Sequence, residues 1–236
     1  MKLDQRKEQI LNFIVRDYIK SAAPISSGRI DDEEVLDASP ATIRSIMLEL
    51  DEEGYLTQPH TSAGRIPTEA GYRYFVKYLM EEREPPLAMQ KEMDAIIDRF
   101  TQDTDALFDE LSHTLARELR LFSGAGIFGK SARFFGYGLA EVFQEPEFFK
   151  HEETVKFGKF IDHIDEGLNR TRRLSNKNVA RDVSIGPFGM VTVCARNDIL
   201  GECVIFSAGP RRMNYEKANA FLKYAVDDII GISNKP

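Results

Sequence analysis

The sequence predicts an α+β chain in two parts: a small helical head with a short hairpin, then a larger part in which strands come after helices. Three observations predict it. Residues 4–75 hold three successive helix patterns and then a strand–turn–strand signal. Residues 81–86 (EEREPP) are charged and then doubly proline, which reads as a linker and sets the expected division at 1–84 and 85–236. Residues 183–206 hold the strongest strand patterns and precede a last amphipathic helix.

In the head, residues 4–20 place Ile10, Leu11, Ile14, Tyr18 and Ile19 on one face of a helix. Pro24-Ile25-Ser26-Ser27 opens a shorter helix with Ile30 inward, joined by Val35 and Leu36. Ser39 is a natural N-cap for a third helix and Pro40 suits its first position. Ile43, Ile46, Met47 and Leu50 line its inner face, and Gly54 stops it. Its other face begins with Ala41, Thr42, Arg44 and Ser45, which are small, hydrogen-bonding or cationic, as a helix that reads base edges in a major groove requires. Tyr55 to Gln58 and Arg65-Ile66 read as two short strands around the turn His60–Gly64, with Pro59 and Pro67 limiting the hairpin. Arg65 is expected near its tip, within reach of a phosphate or a minor groove. Helix, short helix, capped helix and hairpin make a winged helix-turn-helix. Such a unit binds DNA, although the same architecture also serves protein or RNA contacts or acts as a spacer.

After the linker, residues 87–121 read as one long helix with Met93, Ile97, Phe100, Leu107, Leu111, Leu115 and Leu119 in a stripe, either a dimer seam or a core-facing side. Residues 124–138 hold five glycines and read as a connecting loop. Gly124, Gly129, Lys130 and Ser131 formally satisfy the phosphate-loop pattern, but a charged helix pattern precedes them, and Gly136 and Gly138 would break the helix that such a loop needs after it. Residues 148–168 read as a helix, and Arg170, Arg172, Arg173, Lys177 and Arg181 as a basic, solvated loop. Met190–Cys194 and Glu202–Phe206 flank the turn Arg196-Asn197-Asp198, which brings Cys194 and Cys203 near each other as a buried thiol pair. Asn214 caps the last helix.

The bulk numbers exclude several classes. No apolar run approaches a membrane span, the N-terminus is charged unlike a signal peptide, and two cysteines cannot frame a disulfide-rich fold, so a reduced cytoplasmic protein is expected. The net charge of −7 is unusual for a nucleic-acid binder, and residues 1–80 carry ten Lys and Arg against thirteen Asp and Glu. Attraction to phosphate must then be local, through Arg44, Arg65, Arg73 and Lys77, with Lys2, Arg6 and Lys7 in support. His60, His113, His151 and His163 show no paired metal spacing, no nucleophile elbow occurs, and neither cysteine sits in a nucleophile motif. The chain is therefore not expected to be an enzyme, and no catalytic, cofactor or metal residue is assigned.

The segments SPATIR, EEGYL, QPHTSAGRIPT and GYRYFV resemble the HrcA family of heat-inducible transcription repressors, as do GLAEVFQEPEF (138–148) and GPRRMNYEKANAFLKYAVDDI (209–229) more weakly. The resemblance implies a dimeric repressor of heat-shock and chaperone genes that binds an inverted-repeat operator in double-stranded DNA, aided by the chaperonin. It implies that 85–236 is a GAF-like dimerisation and regulatory domain. By matching positions it assigns Ser39, Thr42, Arg44, His60, Thr61, Ser62, Gly64 and Arg65 to DNA, to which the residue reading adds Ala41 and Ser45. Thr42, Arg44 and Ser45 would read bases, and Ser62 and His60 would position the backbone. The chain departs from the family in three ways. It is shorter, with the missing stretch around 122–137; Ser45-Ile46 replaces the family's Asn-Glu; and the second helix is acidic. Two rival readings are a ligand- or chaperonin-sensing module with the winged helix as its output arm, and a nucleotide switch using Lys130.

Overall fold

In the first unit, helix starts are set by side chains that satisfy otherwise orphaned backbone amides. The computed structural model describes residues 2–60, 63–100, 102–128, 132–174, 179–197 and 201–232, in two compact units, Met1–Glu81 and Glu82–Pro236. In the first unit, the Asp4 carboxylate accepts the Arg6 and Lys7 amides at the start of α1 (Gln5–Ser21). Ser26 caps α2 (Ser27–Asp32), Ser39 caps α3 (Pro40–Glu52), and Thr68 caps α4 (Glu69–Tyr74), which one π-helical turn, Phe75–Leu79, continues. Strands β1 (Leu56–Thr57) and β2 (Ile66–Pro67) pair antiparallel. Ile10, Leu11, Ile14, Ile30, Ile43 and Leu50 are fully buried and join α1, α2 and α3.

The α1–α2 connection adds a third line to the hairpin. Ile25 and Arg65 exchange both backbone hydrogen bonds, at 2.9 and 2.8 Å. This contact requires glycine at 64, because a Cβ there would lie 2.2 Å from the Ile25 carbonyl oxygen.

In the second unit, α5 (Leu87–Phe100) and α6 (Thr104–Leu119) precede β3 (Phe122–Ile127), β4 (Arg133–Tyr137), α7 (Leu139–Val142), a 3-10 turn Pro146–Phe149, α8 (His151–Asp162) and α9 (Ile164–Leu174). Strands β5 (Val179–Ile185), β6 (Phe188–Asn197) and β7 (Gly201–Pro210) and helix α10 (Tyr215–Ile232) complete it. The five strands form one antiparallel sheet in the order β4-β3-β7-β6-β5. Helix α6 packs on β3 and β4, and α10 on β6. On the opposite face, Phe122, Cys194, Val204 and Phe206 meet Val142, Phe157 and Leu168 from α7, α8 and α9 in an aromatic-rich core.

Several expectations are corrected here. The long helix over 87–121 is two, because the Asp103 carboxylate accepts the Ala106 amide and starts a new one. Its apolar stripe is not free to be a dimer seam: Met93, Ile97, Leu107, Leu111 and Leu115 are buried within this chain. The described glycines Gly124, Gly126 and Gly136 lie in the paired strands β3 and β4 and not in a loop, with Gly124 opposite Gly136. The glycines make room, since a Cβ on Gly124 would lie 2.6 Å from the Phe206 ring and 2.5 Å from the Phe135 carbonyl oxygen. The helix over 148–168 starts later and breaks at His163 into α8 and α9. The basic run is helix and strand: Arg170 pairs with Asp182 at 2.9 Å and Arg172 with Glu202 at 2.8 Å, while Arg181 donates to Asn219. Lys177 and Asp198 lie outside the described residues. Cys194 lies opposite Val204 while Cys203 lies opposite Ala195, so the two buried thiols point to opposite faces of the sheet and do not pair. Among the described residues no helix is long and apolar enough to cross a membrane.

Candidate functional site

Helix α3 buries Ile43, Ile46, Met47 and Leu50 and leaves Ala41, Arg44, Ser45 and Leu48 exposed on the other side. These four recur at helical spacing and form one stripe. Ser39 is exposed and caps the helix: its hydroxyl accepts the Thr42 amide at 3.2 Å and lies 3.0 Å from the Thr42 hydroxyl. Thr42 is half-buried and engaged in the cap. The Ser45 hydroxyl is 3.5 Å from the Glu49 carboxylate, a weak contact that leaves it available.

Arg44 is held at one nitrogen. Its Nε donates to the Ser27 hydroxyl at 3.2 Å, and among the described residues no carboxylate lies within ion-pair distance of it. Both Nη groups remain for a planar acceptor pair such as the O6 and N7 atoms of guanine.

Arg65 is placed differently from the expectation. Its side chain is 16% exposed and its Nε sits 2.7 Å from the Asp51 carboxylate at the end of α3, an ion pair without hydrogen-bond alignment. The backbone bridge to Ile25 draws it to the base of the hairpin, away from the tip. Beside the tip, the Ala63 backbone amide donates to the His60 carbonyl and the Gln58 side-chain amide donates to the Ala63 carbonyl, each at 2.8 Å. His60 is exposed, Gly64 sits against Ile25, and Thr61 and Ser62 lie outside the described residues.

Several of the other cations expected to attract phosphate have carboxylate neighbours. Lys7 lies between Glu49 at 3.0 Å and Glu53 at 2.5 Å, and its hydrogen bonds to them, Glu53 first, raise its pKa. Arg73 pairs with Glu69 at 2.8 Å, and Lys2 lies 4.0 Å from Glu8. Lys77 lies 5.0 Å from the centre of the Tyr78 ring. Arg44 is thus the cation that the stripe itself presents. A groove beside it is lined by Ser26, Ser27, Leu48, Gln58 and Gly64. Sequence reasoning missed Ser27, Asp51, Gln58 and Leu48. Leu48 was legible as the apolar residue on the polar face, four positions after Arg44; the other three are brought in by contacts far along the chain.

The phosphate-loop pattern does not close. Gly124 lies inside β3, the next described element is strand β4 and not a helix, and Gly129, Lys130 and Ser131 lie outside the described residues. Among the described residues no group of three or more His, Cys, Asp or Glu could hold a metal ion.

Fold and site define a two-unit α+β protein whose first unit presents a capped, outward-facing helix beside a small hairpin. No protein-family model matches the chain. It is 57% identical over 84 residues to the heat-inducible transcription repressor HrcA of Pelotomaculum thermopropionicum, covering 36% of this chain and 24% of that protein. It is 43% identical over 119 residues to HrcA of Symbiobacterium thermophilum (50% and 35% covered) and 39% identical over 127 residues to HrcA of Acetivibrio thermocellus (54% and 36% covered). Over a third to a half of its length the chain is similar to HrcA repressors. The matches span about a quarter to a third of the relatives' own length. The crystal structure of a hypothetical protein shares the fold, with a TM-score of 0.73 at 17% identity over 98% of this chain and 99% of that one.

Proposed function

We propose that this protein is a cytoplasmic, sequence-specific DNA-binding transcriptional repressor, not an enzyme, that acts as a homodimer on an inverted-repeat operator of heat-shock or chaperone genes. The first unit is then a winged helix-turn-helix with α3 as recognition helix and β1–β2 as wing. The observation that carries this is the exposed stripe of α3, in which Arg44 stands without a carboxylate partner among the described residues of a chain of net charge −7. In so acidic a protein, an arginine left unpaired amid small residues suits an anionic, edge-patterned ligand. Arg44 and Ser45 read bases, Ala41 permits close approach, and Ser39 with Thr42 rigidifies the helix end. His60 at the hairpin tip contacts the backbone, while Arg65 holds the wing against α3 through Asp51. The second unit, five antiparallel strands between helices, is the GAF-like regulatory and dimerising part that the family resemblance implies, and the chaperonin is its candidate modulator.

Selection from random double-stranded DNA with the full chain at near-physiological salt tests this. Recovery of an inverted repeat is expected. A folded protein that recovers no preferred sequence, with or without chaperonin, refutes the reading.

A further inference from the structure

Leu48 lies on the base-facing stripe of α3, seven positions after Ala41 and four after Arg44, and its side chain is 49% exposed. It is the large apolar side chain of a face otherwise built from Ala41, Arg44 and Ser45. The core does not need it, since the inner face is completed by Ile43, Ile46, Met47 and Leu50. Nor does it stand on open convex surface: it lines a groove together with Arg44, Ser27 and Gln58. An apolar group in such a setting is matched by a ligand that is polar at its edge and carries one methyl. Double-stranded DNA has one such group in its major groove, the C5 methyl of thymine. At about 1.5 Å rise per residue, Leu48 stands about 6 Å further along the helix axis than Arg44, roughly two base steps away.

We propose that Leu48 is a specificity-determining residue that reads a thymine methyl one to three base pairs from the position read by Arg44, in each half-site. This rests on the DNA-binding reading above and adds to it a named contact of different chemistry. A thymine contacted there is held by burial of one methyl group and by no hydrogen bond.

The test removes that methyl alone. On the operator recovered by selection, each thymine of one half-site is replaced in turn by deoxyuridine and bound to the full chain and to Leu48→Ala. One thymine is expected whose replacement weakens the unsubstituted protein about four-fold, the equivalent of one buried methyl. The same replacement is expected to leave Leu48→Ala unaffected, and Leu48→Ala is expected to lose its preference for thymine over cytosine there. Two results overturn the inference. If an inverted repeat is recovered but no methyl removal is coupled to Leu48, the contact is wrong while DNA binding stands. If no sequence is selected, the inference falls together with the reading beneath it.

Discussion

Arg212 meets Glu147 with two parallel contacts, Nε to Oε1 at 2.6 Å and Nη2 to Oε2 at 3.1 Å, while the same Nη2 reaches Glu145 at 2.5 Å. The arginine side chain is only 9% exposed. These residues come from the two later segments that carry the HrcA resemblance, 138–148 and 209–229, which are distant in sequence. A fork-to-carboxylate geometry with a second acceptor is the arrangement in which a buried pair is firmly held.

Removing the arginine leaves Glu145 and Glu147, 22% and 34% exposed, without their cation. Arg212→Ala is expected to destabilise the second unit by about 1–3 kcal/mol. Denaturant midpoints measure it, and the double variant with Glu147→Gln should lose clearly less than the two single losses added together. Strict additivity would show that the pair is not coupled.

Arg44→Ala should relax specificity at one base position by about 1–3 kcal/mol while leaving affinity for scrambled DNA nearly unchanged. Ser27→Ala frees Nε and should produce a smaller loss at the same position. Binding to a panel of operators with single base changes measures both. Equal losses on every sequence would assign Arg44 to phosphate instead.

Gly64→Ala places a methyl 2.2 Å from the Ile25 carbonyl oxygen, so the bridge between Ile25 and Arg65 must open. Destabilisation of the first unit by about 1–3 kcal/mol is expected, in the range of other overpacking changes. Arg65→Ala removes a part-exposed ion pair and should destabilise the fold by no more than about 1 kcal/mol. An Arg65→Ala protein whose DNA affinity collapses while its melting point is unmoved would return this side chain to the DNA.

Burial pushes the Cys194 thiol up to about 12 and the Cys203 thiol up to about 11. Both thiols should resist alkylation in the native state and react on unfolding. The unfolded chain loses these protons first, near pH 8.5. The stability they contribute is therefore full below that pH and declines as pH rises towards 11. Urea midpoints at pH 8 and pH 10, compared with those of Cys194→Ala, check the sign.

Local chemistry was legible wherever one residue type answers one geometric need. Ser39-Pro40 starts α3, and Ile43, Ile46, Met47 and Leu50 bury one side of it. Strand glycines misled, because Gly124 and Gly136 read as loop until the Phe206 ring that crowds the missing side chain of Gly124 is in view. Arg65 misled for a related reason: its neighbours in sequence suggested an exposed tip, while its partner Asp51 lies at the end of another element.

What the sequence determined by itself was the period of each apolar pattern, the caps that start helices and the exposed composition of α3, since each depends on side chains within a few residues of one another. The tertiary structure decided which charges stay free. Lys7, Arg65, Arg73 and Arg212 are held by carboxylates brought to them by folding or lying one turn away, while among the described residues Arg44 is held by a hydroxyl. Opposite charges attract through space regardless of their separation along the chain, so only the folded arrangement distinguishes a cation that supports the fold from one left to bind a ligand.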